Sequence, residues 1–261
     1  MKALLTAASG MMAQELNVEV ISNNIANMRT TGYKRQRAEF QDLLYNNLRR
    51  AGTTSSASGT IVPSGIQIGS GVKTGATYRI MSQGSVLRTE KDLDVAIRGE
   101  GLFQVALPDG RTAYTRDGSF EIDPNGTLTT IDGYTIEPQI TIPPNAQAIT
   151  ISASGDVQAQ IPGQQAPQTL GTIQLARFVN KAGLEAIGDN LFLETDASGT
   201  PQVGTPNDSG FGNLLQAHLE QSNVNAVAEI SDLIAAQRAY EMNARIISAA
   251  DQMMQATSNL R

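Results

Sequence analysis

His218 is the sole histidine of the 261-residue chain, and there is no cysteine. A serine–histidine–acid relay would have to run through His218, yet no nucleophile motif stands near it. Placed at the lead-in to a C-terminal helix, it reads as a surface or packing histidine. One histidine cannot supply the ligand set of a zinc hydrolase. The absence of cysteine excludes a disulfide framework, a thiolate metal site and a thiol nucleophile. Gly69-Ser70-Gly71-Val72-Lys73-Thr74 has some features of a phosphate loop, but Lys73 does not follow a glycine and the spacing from Gly65 is wrong, so a Gly-rich hinge is expected instead. Gly99-Glu100-Gly101 lacks the third glycine and the following helix of a dinucleotide loop and reads as a turn or bulge. Asp92 and Asp94 flank Leu93 without calcium-loop spacing, and Asp123-Pro124-Asn125-Gly126 is turn chemistry. No catalytic, metal-binding or cofactor-binding residue is assigned, and the chain is expected not to be an enzyme.

Composition narrows the partners. A formal net charge of −6 argues against a general nucleic-acid binder, which would carry a basic face. No stretch is apolar and long enough to span a bilayer, so direct membrane insertion is not expected. Met1-Lys2-Ala3-Leu4-Leu5 imitates the start of a signal peptide, but Thr6, Ser9 and Gly10 interrupt the apolar run and no convincing cleavage site follows. The expectation is a mature N-terminus and, for any export, a route without signal cleavage.

The elements that carry these residues follow from proline. All ten prolines lie between Pro63 and Pro206. Proline costs a helix interior about 3 kcal/mol, so both proline-free ends can hold long helices. Leu4, Met11, Val18 and Ile25 recur every seven residues, with Ala7, Gln14, Ile21 and Met28 as a second row. At the other end Leu233, Tyr240, Ile247 and Met254 recur likewise, with Ile230, Gln237, Ala244 and Asp251 as the weaker row. Two seam-bearing helices predict that the ends pair as a coiled coil. Between Leu4 and Met28 the only charges are Glu15 and Glu19. Such weakly polar faces fit packing among neighbours in an assembly, or an isolated pair with a soft polar surface.

The middle carries Pro108-Asp109-Gly110, Asp117-Gly118, Pro124-Asn125-Gly126 and Asp132-Gly133, separated by short runs rich in Val, Ile, Thr, Tyr and Phe. Asx-Gly turns at this spacing predict successive antiparallel hairpins. The predicted fold is therefore mixed: long N- and C-terminal α-helices pairing as a coiled coil, around a central all-β domain of antiparallel strands. The expected division is an N-terminal helix over 1–33, a connecting region over 34–71, a β domain over 72–210 and a C-terminal helix over 211–261. The stretch from Gly52 to Gly71 is rich in Gly, Ser and Thr and predicts a flexible loop or extended arm, centred on about 46–63.

Several motifs resemble those of the bacterial flagellar rod and hook proteins. At the N-terminus these are Ile21-Ser22-Asn23-Asn24-Ile25-Ala26-Asn27 and Thr30-Thr31-Gly32-Tyr33-Lys34. Ser222-Asn223-Val224-Asn225, Gln237-Arg238-Ala239-Tyr240-Glu241 and Asp251-Gln252-Met253 match the C-terminal signature, and the runs Asp94 to Phe103 and Tyr114 to Phe120 match the β-domain motifs. The length, and the stretch from Tyr45 to Pro63, resemble the distal-rod branch of that family; the proximal branch of similar length is the alternative. The resemblance implies a structural subunit exported by the flagellar type III apparatus and polymerised with itself into a straight tube in the periplasm and outer-membrane ring region. Its partners would be proximal rod and hook subunits and the surrounding basal-body rings. Outside the family, a secreted adhesin and a wall hydrolase are the rival readings. Under the resemblance, Asn23, Asn24 and Asn27 become a polar register device or, equally, helix-end capping and turn formation before Gly32, and Gly32 and Tyr33 join them as assembly positions. Asn223 and Asn225, with Leu233, Tyr240 and Ile247, become assembly positions. Phe40 followed four residues later by Leu44 becomes an export-gate signal, the alternative being helical packing at that spacing.

Overall fold

The computed structural model describes residues 2–52, 64–164 and 166–259. The chain divides into two compact units, one built from 1–25, 36–78 and 225–261, the other from 26–35 and 79–224.

The helix-bearing unit contains α1 (Lys2–Ala26) and α2 (Ala226–Asn259), with β1 (Gln36–Asp42), β2 (Tyr45–Arg49), β3 (Ile66–Gly69) and β4 (Val72–Arg79) between them in sequence. At 1.5 Å per residue the helices are about 37 and 51 Å long. Two contacts between them fix their direction. A Cβ added to Gly10 would lie 2.9 Å from the Asn243 amide, and Asn24 Nδ2 donates to Glu229 Oε2 at 3.1 Å. Gly10 and Asn24 are fourteen residues apart, as are Glu229 and Asn243. The helices are therefore antiparallel and hold one register over four turns. Pairing of the ends is as expected, and Ala7 and Ile21 of the expected rows are buried, but on α2 the buried row is shifted by one residue from the expected Ile230 row. The buried positions are Ala7, Ala13, Val20, Ile21 and Asn24 on α1, and Glu229, Ala236 and Ala250 on α2. Small residues let the backbones approach, and this outweighs the larger side chains: Ile230, expected in the seam, is 49% exposed.

β1 pairs with β4, and β2 pairs antiparallel with β3 in a ribbon that matches Tyr45 to Gly69 and Asn46 to Ile68. Part of the segment expected as a flexible loop is thus strand, because Ile66 and Ile68 alternate with polar neighbours. The expected hinge is the entry to β4, where Val72 N donates to Ser9 Oγ at 3.2 Å. The centre of the expected arm, 53–63, lies outside the described residues.

The β-rich unit contains β5 (Val86–Arg88), β6 (Val95–Arg98), β7 (Leu102–Ala106), β8 (Thr112–Thr115), β9 (Phe120–Ile122), β10 (Leu128–Thr130), β11 (Thr135–Glu137), β12 (Ala148–Ile151), β13 (Asp156–Gln160), β14 (Gln168–Thr172), β15 (Leu175–Arg177), β16 (Glu185–Gly188), β17 (Leu191–Leu193), β18 (Gln202–Gly204), β19 (Asn213–Gln216) and β20 (His218–Glu220). Its main sheet runs β16-β17-β8-β7-β11-β10-β9, with β15 joining β7 and β18 joining β15. Phe103 and Phe120 meet edge to face at 5.0 Å inside the core, among Ile97, Leu128, Ile136 and Leu175, which are essentially inaccessible. Residues 211–225, expected as helix, instead form β19 against β6 and β20 against β5. Helix begins only once Asn225 Oδ1 accepts from Val227 N and Ala228 N, at 3.1 and 3.2 Å, satisfying backbone donors that a first turn leaves open.

Three of the four Asx-Gly turns close hairpins, with Gly110, Gly126 and Gly133 in the left-handed region. Asp117-Gly118 does not. β8 and β9 are not neighbours, because Val95 N takes the Gly118 carbonyl at 2.9 Å and draws the chain off the sheet. A Cβ on Gly118 would sit 1.7 Å from the Val95 carbonyl oxygen. Gly118→Ala is expected to cost about 1–3 kcal/mol through overpacking, read as a lower urea midpoint with an unchanged slope. An unchanged midpoint would remove this account of the crossover.

Candidate functional site

In the helix-bearing unit the central group is the carboxamide of Asn24, which is 1% exposed. Its Oδ1 accepts from Gln36 N and its Nδ2 donates to Gln36 O, both at 2.8 Å, besides the contact to Glu229. One side chain thus replaces a strand partner for the first residue of β1 and meets a carboxylate on α2. Glu229 is fully buried. A mid-helix asparagine that satisfies backbone polar groups and an acid on the partner helix disfavours a shifted register, since any slip would bury those groups without partners. Asn23, beside it, is exposed. Leu233 and Ile247 are half-buried, and Tyr240 is 44% exposed.

Phe40 lies in β1 and is half-buried, while Leu44 is 88% exposed just beyond that strand. The helical pairing offered as the packing alternative does not form, because the backbone is extended and four residues of strand span about 13 Å.

In the β-rich unit, sequence reasoning missed the most strongly coupled group. Glu220 is 1% exposed. Lys34 Nζ donates to Glu220 Oε1 at 2.6 Å, Arg116 Nε donates to Oε2 at 2.5 Å, and Gly84 N donates to Oε1 at 2.8 Å. Arg116 spends its other donors on the carbonyls of Ile97, Gly99 and Gly101, which fixes the Gly99–Gly101 turn. Burial pushes the Glu220 carboxyl up, but the pull of Arg116 and Lys34 outweighs it, and the carboxyl lies below its usual range. Burial lowers the Lys34 ammonium, and Glu220 does not fully offset it because Arg116 opposes from the other side. Two cations share one anion, so the anion gains from both and each cation is opposed by the other.

The remaining motif residues surround this cluster. Gly32, at φ 69°, donates its N–H to the Glu220 carbonyl at 2.8 Å. Asn27 Oδ1 accepts from Thr30 Oγ1 at 3.1 Å and its carbonyl accepts Thr30 N, which makes Asn27 part of a turn after the helix. Tyr33 N donates to Thr30 O. Asn223 joins three segments: its Oδ1 accepts Arg35 N at 2.7 Å, and its Nδ2 donates to the carbonyls of Ile80 and Ser82 at 2.8 and 3.1 Å. The side chains of Asn24, Lys34, Arg116, Glu220 and Asn223 and the backbone of Gly32 therefore join segments distant in sequence. His218 is a strand residue of β20, with Nδ1 2.6 Å from the Gln216 carbonyl. Among the described residues no group of three or more His, Cys, Asp or Glu side chains could hold a metal ion, and no helix is long and apolar enough to cross a membrane.

The helices leave large apolar side chains outside. Leu5 and Met12 on α1 are 69% and 71% exposed. On α2, Val227, Ile230 and Ile234 follow one another at helical spacing, and Met242, Ile246 and Met253 form a second run; all six are exposed. Clusters of exposed apolar side chains like these are typical of interaction sites.

Comparison with known proteins covers both ends and the middle. Residues 4–34 match the family described as flagella basal body rod protein, 96–159 the flagellar hook protein FlgE/F/G D1 domain, and 215–260 the flagellar basal body rod FlgEFG protein C-terminal family. The chain is 62% identical to the flagellar basal-body rod protein FlgG of Caulobacter vibrioides over the whole of both chains. It is 52% identical to that of Agrobacterium fabrum over 97% of each, and 36% identical to that of Bacillus subtilis over 100% of this chain and 99% of the relative.

Proposed function

The chain belongs to the FlgG family of flagellar basal-body rod proteins, and from that premise we propose how one subunit joins the shaft. It is a structural subunit of the distal rod, not an enzyme. The observation that carries the assembly reading is the exposed apolar surface of α1 and α2, which runs beside a seam already closed by small residues. Copies of the same chain cover it. Each copy presents one face of its helix pair to a different face of the next, and repetition of such a heterologous contact by a rotation that does not close gives a helical polymer. Torque is then carried by the interlocked helices, whose register Asn24 and Glu229 hold. Proximal rod and hook subunits meet the two ends of this polymer, and ring proteins surround it in the periplasm and at the outer membrane. The exposed Leu44 with Phe40 offers the export apparatus an apolar contact before assembly.

The chain has no cysteine, so one introduced thiol reports a single position. Met12→Cys and Met242→Cys are expected to react readily with a maleimide in the soluble subunit and to be at least 10-fold slower in purified rods. Equal rates in both states would overturn the proposal that these faces are covered by neighbouring copies.

A further inference from the structure

One cleft of the β-rich unit has no part in the contacts described so far. The same edge of β7 is shared by two strands: β15 takes Leu102 and Phe103, and β11 takes Gln104 to Ala106. Beyond β7 these strands diverge, because β11 ends at Glu137 before Pro138 and β15 is entered from Gln174. The fork leaves a cleft of about 490 Å³, within the size range of small-ligand sites.

Its lining is chemically narrow. Gln104, Gln139 and Gln174 supply carboxamides, Glu137 is the single charged side chain, and Pro138 and Val203 form an apolar ledge. Gln104 is the informative member. It is 7% exposed and lines the cleft, yet its carboxamide has no hydrogen-bond partner among the described residues. Its amide atoms are not sealed from solvent, so the carboxamide opens into the cleft that separates β11 from β15 and is available to a ligand there. Glu137 Oε2 accepts from Thr112 Oγ1 at 3.1 Å, which fixes the carboxylate at the cleft.

We propose that this cleft binds a neutral glycan. A carboxamide both donates and accepts, as hydroxyl and acetamido groups do, so Gln104 and Gln174, with the oxygen of Gln139 whose amide nitrogen donates to Thr127 Oγ1 at 3.5 Å, complement a sugar from several sides. The lone carboxylate accepts from hydroxyls. No cation lines the cleft, so phosphate and carboxylate ligands have nothing to pair with. The ledge of Pro138 and Val203 gives the C–H face of a pyranose ring an apolar surface. A peptide would also satisfy amides, but the strand edges at the fork are already engaged with β7, which leaves little backbone to extend by strand addition.

The test titrates the full-length soluble chain with N,N′,N″-triacetylchitotriose and follows the side-chain amide resonances by NMR. Saturable shifts of the Gln104, Gln139 and Gln174 amides at millimolar sugar are expected. Gln104→Leu should weaken binding at least 10-fold while leaving the melting temperature equal to or above that of the parent. Gln174→Ala, nearer the rim, should weaken it several-fold and serves if Gln104→Leu does not fold. Unshifted amides at tens of millimolar sugar would overturn the proposal. So would shifts confined to other residues, or an equal response to inorganic phosphate or to a glutamine-rich peptide.

Discussion

Glu220→Ala is expected to lower the stability of the β-rich unit by about 3–5 kcal/mol, because it leaves two buried cations without their anion. For a unit of this size that is a fall of about 6–20 °C in melting temperature. The magnitude follows from position. Glu220 and Lys34 side chains are 0% and 2% exposed, and Arg116 is 6% exposed. Solvent cannot take over the charge, and Gly84 N loses its acceptor as well. Lys34 retains only the Ser82 carbonyl, at 2.9 Å. A surface pair would have been worth less than about 1 kcal/mol. Glu220→Gln keeps the shape but turns an amide toward Arg116, so a smaller loss of the same sign is expected. The pH dependence separates charge from shape. The folded carboxyl lies below its ordinary value, so the unfolded chain takes up the proton first as pH falls. The contribution is fully present above about pH 4.3, the ordinary glutamate value, and is lost as pH falls through the lower folded value. The parent should therefore lose stability below about pH 4, and Glu220→Gln should show a flatter profile across that window. Urea unfolding at a series of pH values reads both. A loss below about 1 kcal/mol for Glu220→Ala, or parallel profiles, would show that the cluster does not hold the unit together.

Much of this architecture is legible in the residues, and the parts that are not share a cause. The confinement of proline to Pro63–Pro206 foretells the two helices and the β centre, and Asp109-Gly110, Asn125-Gly126 and Asp132-Gly133 foretell three hairpins, because backbone restriction acts locally. Asp117-Gly118 misleads because a turn signal says where the chain bends and not which strand it joins next. The seam misleads for a related reason. Heptad spacing identifies helices that pack, but Gly10, Ala13 and Ala236 win the contact through close approach, and hydropathy alone ranks them below Ile230. Glu220 was invisible because a glutamate between Leu219 and Gln221 reads as an exposed strand residue. Only the fold brings it to Lys34 and Arg116, 186 and 104 residues away. Lys34 stands in the N-terminal motif and Arg116 in a β-domain motif, each beside another charged residue, Arg35 and Asp117, so nothing in the sequence set them apart as partners of Glu220. Asn24 was legible as a polar position in a helix, and its partners Gln36 and Glu229 were not.

The double substitution Ile230→Asp with Ile234→Asp is expected to abolish rod polymerisation and swimming while leaving the isolated subunit folded. In the single chain the two side chains are 49% and 46% exposed, so the aspartates stay largely in water. Under the proposed assembly the same positions face the helices of a neighbouring copy, and each uncompensated carboxylate there costs several kcal/mol. Even about 3 kcal/mol per subunit lowers the contact constant by more than 100-fold. A polymer repeats that loss at every step of growth. Ile230→Leu with Ile234→Leu preserves apolar character and should assemble normally, which separates charge from shape. The far-ultraviolet circular dichroism of the purified aspartate variant should match the parent's, and electron microscopy of basal bodies from cells carrying it should find rods that stop short and bear no hook. Complete hooks and motile cells would mean that this face of α2 is solvated in the rod, and that other surfaces hold the shaft together.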